Sequence, residues 1–282
     1  MVRHTGKQVP SWAEAEAWEC AFVTPLIMYK LHTVALLFCL SCTQQPASFV
    51  SGLPLNPSTQ DTLPIPNFPQ LDRTYTASRK SVESQRKALK IAFDKGQISI
   101  DSVGGTFTNC LLSEIIPYWF GTPWAFSGHT EIPRQGEIAC GYFVSTTLFH
   151  SGLQLNRFRL AQQSPIDEAL MLSLGDTVIL TKRDDATKAL NLWRTTLRDG
   201  LYFIGLGQGH VGFLLKRGAG LYLIHSNYSF PAEVQIQRAE ESVLMGFQEF
   251  YLSNLTFNHQ LMEYWMNRET IPLQNKGVQV NR

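Results

Sequence analysis

Apolar positions along the chain follow two periods, three-to-four in the stretch before residue 200 and again after 240, and strand-like runs between them. From Ser78 to Gly96, Val82, Leu89, Ile91 and Phe93 recur among Arg and Lys residues, which predicts a helix with a solvated basic face. Phe107, Cys110, Leu111 and Ile115 share a stripe that predicts a second helix over about 106–117, with Cys110 in the core. After the turn-forming Arg134-Gln135-Gly136, the run Cys140, Phe143, Val144, Thr147, Leu148 repeats at three and four residues and ends at Gly152. This predicts a helix with Cys140 in its first turn. Ser164-Pro165-Ile166-Asp167-Glu168 reads as a helix start, a cap followed by proline and early carboxylates, so both carboxylates are assigned to capping and dipole compensation. Asp185 caps a further helix in which Leu190, Trp193 and Leu197 are spaced for burial, and 164–199 is read as a helical insert.

Leu201–Leu206 is a short apolar run, Gly207-Gln208-Gly209 is turn chemistry, and His210–Leu215 follows, which predicts a hairpin. Arg217–Gly220 turns the chain into Leu221–His225. Glu233–Gln237 alternates as an edge strand, Ser242–Tyr251 reads as helix, Leu255–Phe257 as strand and Leu261–Met266 as a last helical segment, before a polar tail from Thr270. The predicted class is α+β, with helices packed on a small antiparallel sheet.

Candidate chemistry concentrates on three of these elements. A thiol in the first turn of a helix feels the positive dipole end and unpaired backbone N–H groups, which favour thiolate and can hold an oxyanion. Alternation puts His210, Gly212 and Leu214 on one strand face, and antiparallel pairing brings His225 beside His210. Asn227 lies two residues further, on the same face if the strand persists, so either residue can orient the His210 ring. Taken singly, Cys140 fits a core cysteine and each histidine a hydrogen-bonded structural residue. The ordered trio of cysteine, histidine and polar residue is what points to nucleophilic catalysis.

Segment 103–230 resembles the NlpC-type peptidases of the papain-like superfamily, which hydrolyse amide bonds in murein peptides. Gly121-Thr122-Pro123-Trp124 is similar to a Gly-Thr-Pro-aromatic segment that precedes the nucleophile in that family. Cys140–Val144 is similar to the nucleophile helix, Gly209–Phe213 to the base strand, and Ile224-His225-Ser226 to the strand of the third polar residue. The resemblance implies a papain-like fold with Cys140 as nucleophile, His210 as base and His225 as orienting group, Asn227 being the alternative. It needs no cofactor and no metal.

The chain also departs from the family pattern. Ala139 and Gly141 flank the cysteine where the family has Asp and Ser, and Trp124 stands where Tyr is common, so it can donate only through its indole N–H. Extra residues separate Trp124 from Cys140. Trp119, Trp124, Phe126 and Gly141 are expected to line the approach to Cys140, with the core as the alternative place for Trp119 and Trp124. Two other functions stay open: a non-catalytic cell-wall binding module, and an N-acyl amidase or acyltransferase with the insert as a lid.

Composition adds bounds. The 282 residues are 44% hydrophobic, enough for a sizeable core, and a net charge of +1 without a Lys/Arg run argues against a nucleic-acid partner. The five cysteines show no metal-binding spacing. Met28-Tyr-Lys-Leu-His32, the apolar Thr33–Leu40 and Ser41-Cys42 resemble a bacterial lipoprotein signal, with Met28 a candidate true start and Cys42 the lipidated residue. A single membrane-anchoring helix around 21–42 is the alternative, interrupted by Lys30 and His32. The expected organisation is a leader (1–42), a polar Pro-rich tether (43–75) and a catalytic domain (76–282), a monomer lipid-anchored to a bacterial envelope membrane and acting on murein peptides or another amide.

Overall fold

The computed structural model describes residues 65–68, 71–272 and 280–281. The leader, Met28, Cys42 and all but the last part of the tether therefore lie outside the described residues. Helix α1 (Tyr75–Asp94) starts three residues ahead of the apolar pattern, because the Thr74 hydroxyl accepts the Ala77 N–H and caps it. Helix α2 (Ile100–Cys110) likewise begins at a Ser99 cap, earlier than position 106, and passes through a π-helical turn at Leu111–Ile115 into α3 (Ile116–Trp119). Cys110 is buried in the core and has no disulfide.

Helix α4 (Cys140–His150) is followed by α5 (Arg157–Ala161) and by α6 (Pro165–Ser173). The stretch read as a helical insert then yields a strand, β1 (Val178–Lys182), before α7 (Ala186–Thr196). That correction has a physical cause. Val178–Lys182 pairs along its length with the distant stretch 249–253, so tertiary pairing sets its conformation where local pattern gave no strand signal. Strands β2 (Gly200–Leu206), β3 (His210–Arg217), β4 (Gly220–Ser226) and β5 (Val234–Arg238) form the expected meander with β5 at the edge.

Segment 242–251 is not a helix. It holds a 3₁₀ turn at Val243–Gly246 and the start of β6 (Glu249–Asn254), while 255–257 is a bend. Phe250 and Leu252 point to one sheet face and Tyr251 to the other, and β6 is paired on both sides, by β2 and β1, so a two-residue period prevails. Helix α8 (His259–Asn267) and a two-residue β7 (Val280–Asn281), parallel to β1, complete the fold.

The result is an α+β arrangement on a seven-stranded sheet of order β5-β4-β3-β2-β6-β1-β7, larger than expected and antiparallel except at β7. Both faces are covered. Val211, Phe213 and Leu215 of β3 belong to the core shared with α2, α4 and α8, whereas Leu214, Tyr202, Ile204 and Leu223 pack with Leu190 and Trp193 of α7. This double burial is why the strands read as continuous apolar runs. Among the described residues, no helix is long and apolar enough to cross a membrane.

Candidate active site

The residues ahead of Cys140 are pinned by backbone bonds. Ile138 N–H donates to Pro123 O at 2.9 Å, Ala139 N–H to Gly128 O at 2.8 Å, and the Ser226 hydroxyl of β4 to Ile138 O at 2.7 Å. The extra residues between Trp124 and Cys140 thus form a folded loop that ties the start of α4 to the end of β4. Cys140 opens α4 and is half-buried, with the backbone N–H groups of Val211, Gly141 and Cys140 itself at its sulfur. Val211 follows His210 directly. The β3–β4 register runs up to Phe213↔Ile224, and the sulfur sits beyond it, against the start of β3.

Position at a helix start was expected to favour thiolate. Burial wins instead: it pushes the Cys140 thiol up, an ionised Glu168 carboxyl would add to the rise, and the N–H groups offset only part of it. The resting group is a thiol.

His210 is 2% exposed and His225 is fully buried, and they meet directly: His210 Nε2 and His225 Nδ1 are 2.7 Å apart. His225 Nε2 lies 3.0 Å from Gln237 Oε1 on β5. An amide oxygen only accepts, so His225 carries its proton on Nε2 and its bare Nδ1 accepts the Nε2–H of His210. His210 Nδ1 is left as a lone-pair base. Burial, and then His225, lower His210 to about 3, and burial lowers His225 to about 4, so both rings are neutral. No hydrogen bond joins the Cys140 thiol to the His210 ring among the described residues. Strand alternation places His210 on the α7 side and Val211 on the α4 side, so the imidazole and the thiol approach from opposite faces of the start of β3.

Among the described residues no hydrogen bond joins Asn227 to His210. The strand stops at Ser226, and Asn227 folds the following turn instead, its Oδ1 accepting from Ser229 N–H at 3.1 Å and its Nδ2 donating to Ser229 O at 2.9 Å. That turn carries Tyr228, which the sequence reading missed. Its ring stands edge-on to His210 at 5.1 Å between centroids, with Trp124 6.3 Å beyond. Trp124 is partly buried there and Phe126 is 87% exposed.

Trp119 is not near Cys140. It is fully buried and packs 6.3 Å from His150, at the other end of α4 about 15 Å along the helix axis. Gly141 serves a packing role: a Cβ there would lie 2.7 Å from Ala161 O and 3.2 Å from Glu168 Oε1. The reading of Glu168 is corrected as well. Ser164 and Asp167 make the cap of α6, but Glu168 is buried, its Oε2 has no hydrogen-bond partner, and burial holds its carboxyl well above the usual range. Dipole compensation on a solvated helix start does not describe a neutral acid in the core. Its position one turn into an apolar-faced helix, on the side of Ala169 and Leu172, was the available signal.

Comparison with protein-family models, with curated proteins and with solved structures finds no match to this chain. Among the described residues no group of three or more His, Cys, Asp or Glu side chains gathers as a metal site.

Proposed function

We propose that the chain is a cysteine hydrolase of amide bonds on a divergent papain-like, NlpC-type domain, with murein peptides as its substrate class. The observation that carries this reading is the oriented relay Gln237–His225–His210, which leaves His210 Nδ1 free as base on the residue beside Val211, whose backbone N–H contacts the Cys140 sulfur. In this reaction His210 Nδ1 takes the thiol proton as the sulfur attacks the amide carbon, because a buried neutral pair does not hold a preformed thiolate. The backbone N–H groups of Cys140 and Gly141 then serve the oxyanion. The imidazolium, steadied through Nε2–H by His225, returns its proton to the leaving amine, and water resolves the thioester. The 2.7 Å contact supports orientation by His225 rather than Asn227.

Digestion of purified muropeptides by the protein, followed by product mass, tests the activity, with Cys140→Ala and His210→Ala as controls. We place the protein on an envelope membrane through lipid on Cys42, and fatty-acid labelling lost in Cys42→Ser tests that. A second reading, a non-catalytic binding module, is favoured by the near-complete burial of His210 and by the missing thiol–imidazole bond. Iodoacetamide separates the two: a site built for chemistry alkylates at Cys140 well ahead of the buried Cys110, whose thiol is pushed to about 12.

A further inference from the structure

A second polar constellation lies at the C-terminal end of α4. Trp119 Nε1–H donates to the Tyr75 hydroxyl oxygen at 2.9 Å, and that hydroxyl is 2.9 Å from His150 Nδ1. Indole nitrogen is a donor only, so the phenol oxygen accepts from it and sends its own hydrogen to His150 Nδ1. His150 is 4% exposed, and burial followed by Arg79 and Arg157 lowers it to about 3, so the ring is neutral. Its single proton therefore sits on Nε2.

His150 lines a cleft of about 590 Å³ between α1 and the turn after α4. Arg79, Lys80, Lys87 and Arg268 also line it, against the single carboxylate of Glu83. Glu83 pairs with Lys87 at 3.6 Å and with Arg268 at 3.3 Å, while Arg79 and Lys80 form no ion pair among the described residues. The wall thus offers two unneutralised cations and a buried N–H of fixed tautomer, a donor set for a ligand with several anionic oxygens. A carboxylate brings one negative charge to these two cations, whereas a phosphate ester brings up to two, with three oxygens spread to meet all of the donors. The volume exceeds one phosphate and has room for the group that bears it.

We propose that this cleft binds a phosphate-bearing ligand, with the His150 Nε2–H donating to a phosphate oxygen and Arg79 and Lys80 neutralising its charge. The site is separate from Cys140 and does not depend on the hydrolase reading. Pyrophosphate serves as the soluble probe and phosphatidylglycerol–phosphatidylcholine vesicles as the lipid one. In an NMR titration of the full chain, pyrophosphate should shift the His150 ring N–H and the Ser151 and Gly152 amides. The double variant Arg79→Gln, Lys80→Gln, altered only at exposed side chains, should bind at least about tenfold more weakly, the factor of one charge-assisted hydrogen bond. Vesicle capture that pyrophosphate reverses would assign the phosphate to a lipid headgroup, and pyrophosphate binding without capture to a soluble ester. An unmoved His150 signal at saturating pyrophosphate, or equal affinity in the double variant, would overturn the proposal.

Discussion

His210 Nε2 and His225 Nδ1 are 2.7 Å apart, and the proton between them belongs to His210, because Gln237 Oε1 engages the one proton of a neutral His225. The orientation of one amide on the edge strand thereby fixes which nitrogen of His210 keeps its lone pair. His225→Ala should cost on the order of a hundredfold in muropeptide turnover, by analogy with triad mutants, with partial recovery in His225→Gln. Gln237→Leu should lower turnover less, by freeing the His225 tautomer. Asn227→Ala should act through Tyr228 and the turn it folds, raising KM more than it lowers kcat. Initial rates across the four variants check the ranking, and an Asn227 effect larger than that of His225 would move the orienting role.

An ionised Glu168 would raise the Cys140 thiol, and burial holds that carboxyl in its neutral form. Glu168→Gln keeps the shape and removes the ionisable proton, so iodoacetamide should alkylate Cys140 at the wild-type rate while Glu168 is protonated, and faster than wild type only at a pH where the Glu168 carboxyl ionises. Stability should respond too. A carboxyl raised on folding contributes fully below its unfolded pKa of about 4.5 and loses that contribution as pH rises towards its folded value. The melting temperature of Glu168→Gln relative to wild type should therefore climb from pH 4 to pH 8, and a difference independent of pH would show that Glu168 is ionised in the fold.

Three buried histidines make the fold sensitive to acid. His150 and His210 lie near 3 and His225 near 4 in the folded chain. Their unfolded value is about 6.5, so the unfolded chain binds more protons between the two, and stability falls as pH drops through 6.5. The loss by pH 4 is on the order of 3 kcal/mol per histidine at most, and urea melts from pH 7 to 4 measure it. His225→Gln should flatten the slope by about one histidine's share.

Gly141 was expected to face substrate, and the structure gives it a packing role. A Cβ 2.7 Å from Ala161 O requires backbone movement, since a carbonyl on α5 cannot rotate away as a side chain can. Gly141→Ala should destabilise by about 1–3 kcal/mol, the usual cost of overpacking, in a thermal melt. An unchanged melt would mean that α4 and α5 separate easily and that the helix opened by Cys140 is less firmly seated.

Much of the strand architecture was legible because β2, β3 and β4 are joined by glycine turns and are apolar on both faces. The start of α4 at Cys140 and the caps Ser164 and Asp185 were legible for the same local reason: turn and cap chemistry act within a few residues. What failed depended on distant partners. Val178–Lys182 and Glu249–Asn254 become strands by pairing with each other and with β2, which no local period announces. Glu168 and Trp119 were misplaced because the polar start of a helix and an aromatic near a motif look alike whether buried or exposed. Gln237 was read only as an edge-strand residue, since its contact with His225 is diagonal across two strands and has no signature along the chain.

The most direct test of the nucleophile assignment is the mass of the protein and of its products after incubation with purified muropeptides and an acid quench. The account predicts peptides cleaved at an amide with the gain of one water, and an acyl thioester on the tryptic peptide holding Cys140, both lost in Cys140→Ala and His210→Ala although those variants stay folded. Cleavage that persists in Cys140→Ala, or wild-type protein that neither cleaves muropeptides nor acquires the adduct, would contradict it.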